Sequence, residues 1–318
     1  MEQRESGGMK ILFTGGSSFT GYWFCRQLLE KGHEVTGLLT QKRENYEGIR
    51  KERVERLSCE MELIEESPFG SEKMIDLLKK GTFDVLCHHG AYLKDYKSEQ
   101  FDWLYALETN TKNIKQVIHL AKEQGLGAII LTGSIFEQNE GIGNVPLRAF
   151  SPYGLSKGLT FEVFRYYAQL YNIPLGKFVI PNPFGMLEEK RFTFYLISQW
   201  KRGNIPAVQT PHYIRDNIPC DLLAGCYGRF VEKVFVQKGP FYRSNPSYFV
   251  ESQGAFALRL SREVSKRSAL SCPVELKEQK SYAEPLVRVN TEPAIFEVQD
   301  WSEDRFWDDY VAYALEHY

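Results

Sequence analysis

The chain has 318 residues, 14% of them aromatic, enough for one large domain or two closely joined ones with a sizeable core. A formal net charge of -2 gives no electrostatic case for binding nucleic acid or a membrane surface. Six scattered cysteines form no C-x-x-C pair and no Cys/His metal spacing, and no apolar stretch is long enough to span a bilayer, so reduced thiols, a cytoplasmic setting and no metal site are expected.

Residues 1–8 are polar and lack the apolar core of a signal peptide; a disordered leader or tag is expected there, with Met9 a candidate start. An apolar run at 10–13 leads into Thr14-Gly15-Gly16-Ser17-Ser18-Phe19-Thr20-Gly21. Residues 22–31 then show helical periodicity that stops at Gly32, and residues 33–39 read as a second strand. Strand, glycine-rich turn, helix and strand make the first half of a dinucleotide-binding fold. Glycine lets the backbone approach a pyrophosphate, and the helix start offers N–H groups and a positive dipole end. Ser18 replaces the middle glycine of the G-x-x-G-x-x-G spacing; its hydroxyl can donate to a phosphate but also narrows the loop.

The second strand ends Leu38-Leu39-Thr40-Gln41-Lys42-Arg43, with none of the acid that binds both ribose hydroxyls of NAD. Thr40, Lys42 and Arg43 suit a 2′-phosphate instead, which favours NADP(H) over NAD(H); the competing reading is a solvated, mixed-charge loop. A third strand is expected at 61–64, a fourth at the start of Asp84-Val85-Leu86-Cys87-His88-His89-Gly90-Ala91, a helix at 101–124 and a fifth strand ending Leu131-Thr132-Gly133-Ser134-Ile135-Phe136. A helix over 153–171 carries Tyr153 and Lys157, four apart and therefore on one face, where an ammonium lowers the pKa of a phenol. A strand at 177–180 follows. Beyond Pro181 the alternation breaks down, apart from helical patterns at 253–267 and 303–316. Alternating strands and helices predict an α/β fold with a doubly wound parallel sheet covered on both faces.

These motifs, in this order, resemble the extended short-chain dehydrogenase/reductase family of nucleotide-sugar epimerases, dehydratases and reductases. T-G-x-x-x-F-x-G at 14–21 and Y-x-x-x-K at 153–157 carry the resemblance. Asp84 to Ala91 is similar to D-x-V-x-H-x-A-A, and Asn110-Thr111 to the pair that faces the cofactor. Asn182-Pro183-Phe184-Gly185 resembles N-x-x-G, and residues 215–224 resemble R-D-x-I-x-x-D-x-L-A. The resemblance runs from Lys10 to about Ala224.

It implies a Rossmann-type NAD(P)-binding domain at 9–181 and a smaller substrate-binding lobe at 182–318, partly folding back on the sheet. Gly15, Ser17, Ser18, Phe19, Thr20 and Gly21 would cradle the pyrophosphate. Glu66, or its neighbour Glu65, would meet the adenine, and His89, Gly90, Ala91, Asn110 and Pro181 would line the rest of the cofactor site. His88 and His89 would be packing and cofactor-floor residues, since neighbours in a strand point to opposite faces. Tyr153 would exchange the proton that accompanies hydride transfer, and Lys157 would lower its pKa and hold the nicotinamide ribose. Thr132 or Ser134 would donate a hydrogen bond to the reacting oxygen, with Thr132 favoured by its spacing from Ile135-Phe136. Where 4,6-dehydratases usually carry an Asp-Glu pair, this chain has Gly133 and Ser134, which disfavours that reaction. Asn182 and Arg215 would bind the pyrophosphate of a nucleotide sugar; the competing reading for Arg215 is an ion pair with Asp216 or Asp221.

The expected activity is NADPH-dependent reduction of a 4-keto sugar nucleotide. The alternative is a 4-epimerase with tightly held NAD, and a third reading is a non-catalytic NADP(H) sensor. A homodimer is compatible with an apolar face made by Phe161, Phe164 and Tyr167.

Overall fold

A computed structural model describes residues 7–318, so the expected leader at 1–8 lies outside the described residues except for Gly7 and Gly8. The chain divides into two compact units. Among the described residues the first comprises 7–140, 148–180 and 224–244; the second comprises 141–147, 181–223 and 245–318.

In the first unit β1 (Lys10–Thr14), β2 (Glu34–Leu38), β3 (Glu62–Ile64), β4 (Val85–His88), β5 (Ala128–Ser134) and β6 (Leu175–Ile180) form one sheet with a late strand at Phe241–Ser244. All neighbours are parallel. From one edge the order is Phe241–Ser244, β6, β5, β4, β1, β2, β3, so the chain reverses direction across the sheet between β1 and β4. In such sheets ligands bind outside the carboxyl ends of the strands at this reversal. Thr14, His88 and Ser134 stand at those ends.

Helices α1 (Phe19–Glu30), α2 (Gly48–Ser58), α3 (Glu72–Lys80), α4 (Trp103–Asn110), α5 (Ile114–Glu123) and α6 (Pro152–Leu170) connect the strands. Leu12, Leu86, Ile129 and Leu131 pack against Ile75 of α3, Ile118 of α5 and Phe161 and Phe164 of α6. On another part of the sheet Phe24 stacks on Tyr227 at 4.0 Å, with Phe178 edge-on to both. Burying each such ring contributes roughly 1.5–3 kcal/mol.

Three differences from the sequence expectation have physical causes. The helix expected at 101–124 is two helices, because Asn113 adopts a left-handed conformation (φ 51°) and its side chain donates to the Gly70 carbonyl. Helix α7 (Phe192–Lys201) falls where the sequence suggests loops and short helices, but helix α8 (Cys220–Gln237) is absent from the sequence reading; Gly225 and Gly228 depress its helical signal. Gly228 lets α8 approach α1, since a Cβ there would sit 3.0 Å from Gln27 and Lys31. Finally, Phe161 and Phe164 are buried against the sheet and form no outer face; Tyr166 and Leu170 are the exposed apolar residues of α6.

The second unit contains a three-stranded sheet in which β8 (Ile214–Pro219) pairs in parallel with β7 (Asn182–Phe184) and antiparallel with the strand Phe249–Ser252. Its core is aromatic, built from Phe184, Trp200, Phe249, Phe256, Phe306, Trp307 and Tyr310. Among the described residues no helix is long and apolar enough to cross a membrane, and no cluster of His, Cys, Asp and Glu could hold a metal ion.

Candidate active site

The turn after β1 is shaped by two glycines. Gly15 has φ +84°, and a Cβ there would lie 2.6 Å from the Gly90 nitrogen; a Cβ on Gly21 would lie 2.2 Å from the Gly15 carbonyl. The turn therefore lies against the exit of β4, and only glycine fits at both points. Helix α1 starts here with no acid in its first turn, so its positive end is left for an anion. Ser18 is its N-cap. The Ser18 hydroxyl accepts from the Gly21 N–H (3.2 Å) and donates to the Gly15 carbonyl (2.8 Å). The serine that departs from the glycine spacing is thus a structural part of the turn.

Two cations that the sequence reading missed reach this turn from α2. Arg50 donates from Nε and Nη2 to the Ser17 hydroxyl (3.2 and 3.0 Å), and the fully buried Arg53 donates from Nε to the Ser17 carbonyl (3.1 Å). Their only sequence signal was a spacing of three in a stretch that read as a solvated, mixed-charge loop. Of the residues expected at the 2′-phosphate, Thr40 is exposed, Lys42 lies 3.9 Å from Glu44, and Arg43 pairs with Glu65 at 2.5 Å. That hydrogen bond from Arg43 holds the Glu65 carboxyl below its usual range. Glu66, at φ +52°, pairs with Lys73.

His88 and His89 point to opposite faces. His88 stacks on Phe164 and its Nδ1 lies 2.9 Å from the Thr14 hydroxyl, which also accepts from the Gly90 N–H. His89 packs edge-on to Phe24. Burial, then repulsion by the Lys157 ammonium, push both imidazoles down to about 3, so both are neutral at physiological pH.

The tautomer of His89 follows from its partners. Its Nε2 lies 2.9 Å from the Ser18 hydroxyl and 3.2 Å from that of Thr20, and its Nδ1 lies 2.8 Å from the Thr132 hydroxyl. Ser18 already donates to Gly15, so toward His89 it can only accept, and Nε2 carries the proton. Nδ1 is then an acceptor, and Thr132 donates its proton to it. Thr132 is 1% exposed.

Ser134, two residues on, differs. It is half-buried at the end of β5, and its hydroxyl accepts from the Phe136 N–H (3.2 Å), which leaves its own proton to donate. Between them, a Cβ on Gly133 would lie 2.7 Å from Lys177 Cε and 3.1 Å from Glu137 Oε1. Lys177, on β6, is buried between Glu137 and Glu140 at 2.6 Å from each.

Helix α6 is seated on the exit of β5 by glycine as well. A Cβ on Gly154 would lie 2.2 Å from the Phe136 carbonyl, and one on Gly158 would strike the Gln138 side chain. Ser151 caps the helix and Pro152 opens it. Tyr153, in the first turn, is half-buried and edge-on to Tyr96 and Phe101. Lys157, one turn on and 5% exposed, donates to the Thr132 carbonyl at 2.7 Å. Burial brings it down to about 8, opposed by the charge of Glu137. Asn110 accepts from the Tyr92 N–H and lies within 3.4 Å of Thr160, holding the loop that follows Ala91.

The first unit therefore joins the glycine turn to His89 and Gly90, His89 to Thr132, and Thr132 to Lys157; Tyr153 lies one helical turn from Lys157 on α6, and Ser134 two residues beyond Thr132. Asn182 and Arg215 belong to the second unit. Asn182, on β7, donates to the Asp216 carbonyl (3.3 Å). Arg215 is 6% exposed; it donates to Glu284 (2.7 Å) and to the carbonyls of Ile214, Pro285 and Leu286, and lies over the Tyr213 ring. The acid that Arg215 is seen to donate to is Glu284, where the sequence offered Asp216 or Asp221.

This is a Rossmann-type sheet with a dinucleotide-shaped turn and a Tyr-x-x-x-Lys helix beside it. The model of the NAD dependent epimerase/dehydratase family matches residues 11–218, and the chain belongs to that family. Comparison with curated proteins gives no match. Among solved structures, UDP-glucuronic acid 4-epimerase from Bacillus cereus, in complex with UDP-glucuronic acid and NAD, is 18% identical with a TM-score of 0.72, over 98% of this chain and 100% of that one. UDP-glucose-4-epimerase from Stenotrophomonas maltophila with bound NAD is 15% identical with a TM-score of 0.74, over 97% and 98%. The dTDP-glucose 4,6-dehydratase DesIV from Streptomyces venezuelae with NAD bound is 16% identical with a TM-score of 0.71, over 97% and 98%. At these identities the likeness establishes the fold.

Proposed function

We propose that this chain is a nucleotide-sugar 4-epimerase that holds its dinucleotide tightly. The observation that carries the reading is Lys157: a buried ammonium one helical turn from Tyr153 and hydrogen-bonded to the Thr132 carbonyl of β5. The residues present fit a dinucleotide, because the turn is open only while Gly15 and Gly21 lack side chains and the start of α1 carries no acid. When bound, the dinucleotide supplies the site that accepts and returns a hydride.

Tyr153 takes the proton of the sugar hydroxyl as the carbon–hydrogen bond is oxidised, and gives it back on reduction. The charge of Lys157 favours the phenolate that this requires. Ser134 donates to the reacting oxygen, a role that Thr132 cannot fill while its proton is committed to His89. Inversion then needs only that the keto sugar turn its other face before the hydride returns. Two of the three similar proteins described above are 4-epimerases. Elimination of water is disfavoured, since an acid at 133 would collide with Lys177 and Glu137.

A second reading, NADPH-dependent reduction of a 4-keto sugar nucleotide, is favoured by two observations. The end of β2 offers no carboxylate to ribose hydroxyls, and Arg50 stands on Ser17, where it could meet a 2′-phosphate. The purified protein separates the two readings. An epimerase interconverts a nucleotide sugar with no added cofactor, whereas a reductase is inert without NADPH and consumes it with a keto sugar.

A further inference from the structure

Behind the β5 exit lies a buried charge cluster that the chemistry above does not use. Lys177 projects from the middle of β6 and is 2% exposed, as is the Glu140 side chain; Glu137 is fully buried. Two carboxylates face this one ammonium at 2.6 Å each, and Lys177 also lies 4.0 Å from the Phe161 ring centroid. Arg243 reaches Glu140 from the edge strand at 3.7 Å. A cluster of this kind is weak evidence for stability, because taking three charges out of water offsets most of their attraction. Its position points to another role.

The two oxygens of Glu137 have separate partners. Oε2 accepts from Lys177, and Oε1 accepts from the backbone N–H of Ser134 at 2.7 Å. A carboxylate on a backbone N–H is a strong, charge-assisted contact, and this one is held from behind by Lys177 of β6, the strand beside β5. Gly133 is the space the arrangement requires. Glu137 also lies in the field of Lys157: the two charges favour one another, and burial alone would push the Glu137 carboxyl up and the Lys157 ammonium down. The other groups that act on Lys157 are Lys177, which opposes its charge, and His88 and His89, which are neutral. Glu140 and Arg243 act through Lys177 and Glu137.

We propose that Glu137 is a positioning residue of the candidate active site: anchored on Lys177, it fixes the Ser134 backbone with one oxygen, and its charge acts through space on the Lys157 ammonium. The proposal rests on the reading of Ser134 and Lys157 given above. It explains why a glutamate follows Phe136, where a solvated loop would need none.

Two substitutions separate the anchor from the charge. Glu137→Gln removes the charge and leaves one acceptor oxygen where Glu137 uses two; Glu137→Asp keeps the charge and shortens the reach. The readouts are the Lys157 titration, followed by NMR of its ε-carbon and assigned by its loss in Lys157→Arg, and the exchange rate of the Ser134 amide. Both are taken on the full chain without added ligand. Glu137→Gln should lower the Lys157 midpoint by at least about half a pH unit. Glu137→Asp should leave the midpoint near wild type and speed exchange at Ser134 by about tenfold or more. If neither variant moves the titration, or both move it equally, the charge role is overturned. If exchange at Ser134 is unchanged in Glu137→Asp, the anchor is overturned, and that result stands even where Glu137→Gln fails to fold. Neither readout needs a dinucleotide or a substrate, so a failure to bind either would refute the proposed activity and leave this test intact.

Discussion

Replacing Lys157 by methionine should stabilise the protein while disabling it. Lys157 is 5% exposed; it donates to the Thr132 carbonyl, and Glu137 acts on it through space. The fall from 10.5 to about 8 corresponds to about 3 kcal/mol of cost for burying the charge, at about 1.4 kcal/mol per pH unit. Methionine fills a similar volume, but it leaves the Thr132 carbonyl without its donor, which returns about 1 kcal/mol. The net gain is about 2 kcal/mol at pH 7, or a rise in melting temperature of about 2 to 4 °C for a chain of this size. The pH dependence fixes the cause. Below pH 8 the native and unfolded chains both carry the proton, and the whole cost is present. From pH 8 to 10.5 the native protein releases the proton while the unfolded chain keeps it, so wild-type stability gains with rising pH. The advantage of Lys157→Met is therefore widest below pH 8 and closes toward pH 10. Thermal melts of both proteins across pH 6–10 provide the test. A variant less stable than wild type at pH 7, or a gap that does not narrow, would refute the assignment of Lys157 as a costly buried charge retained for chemistry.

Tyr153→Phe should lower kcat by about 10²-fold or more, since proton transfer is lost. Dinucleotide affinity by calorimetry should change little; substantial retained turnover would remove Tyr153 from the mechanism. Ser134→Ala should cost about 10²–10³ in kcat and destabilise by only about 1 kcal/mol, as the Phe136 N–H loses its acceptor. Thr132→Val should instead leave kcat close to wild type and destabilise by about 1–3 kcal/mol, because His89 Nδ1 loses its donor. The reverse pattern would return the catalytic role to Thr132. Gly133→Ala should destabilise by about 1–3 kcal/mol in denaturant melts, because its Cβ meets the buried Lys177 at 2.7 Å; a neutral result would show that the cluster yields.

The sheet was legible because its signals are local. Apolar runs, glycine stops and the 14–21 turn each specify a piece of backbone without reference to the rest of the chain. The Tyr153 and Lys157 pair was legible for the same reason, being four residues apart on one helix. Partnerships across long separations were not. Counting residues favours Thr132, but its proton goes to His89, 43 positions earlier, and that follows only from what Ser18 does with its own proton. Arg50 and Arg53 looked like solvated charge until α2 brought them to Ser17. Lys42 and Arg43 were read as phosphate ligands, but the strand register brings Glu65 to Arg43. Glu137, Glu140 and Lys177 are separated by up to 40 residues, and no spacing rule joins them. The break at Asn113 needed the Gly70 carbonyl to be in place before it could be seen.

The most direct test of a dinucleotide-dependent sugar enzyme is to denature the purified protein and identify the released small molecules by mass spectrometry. The account predicts a nicotinamide dinucleotide near one per chain, with NAD(H) for the epimerase reading. Protein that releases none, and that binds neither NAD(H) nor NADP(H) in a calorimetric titration, would contradict it.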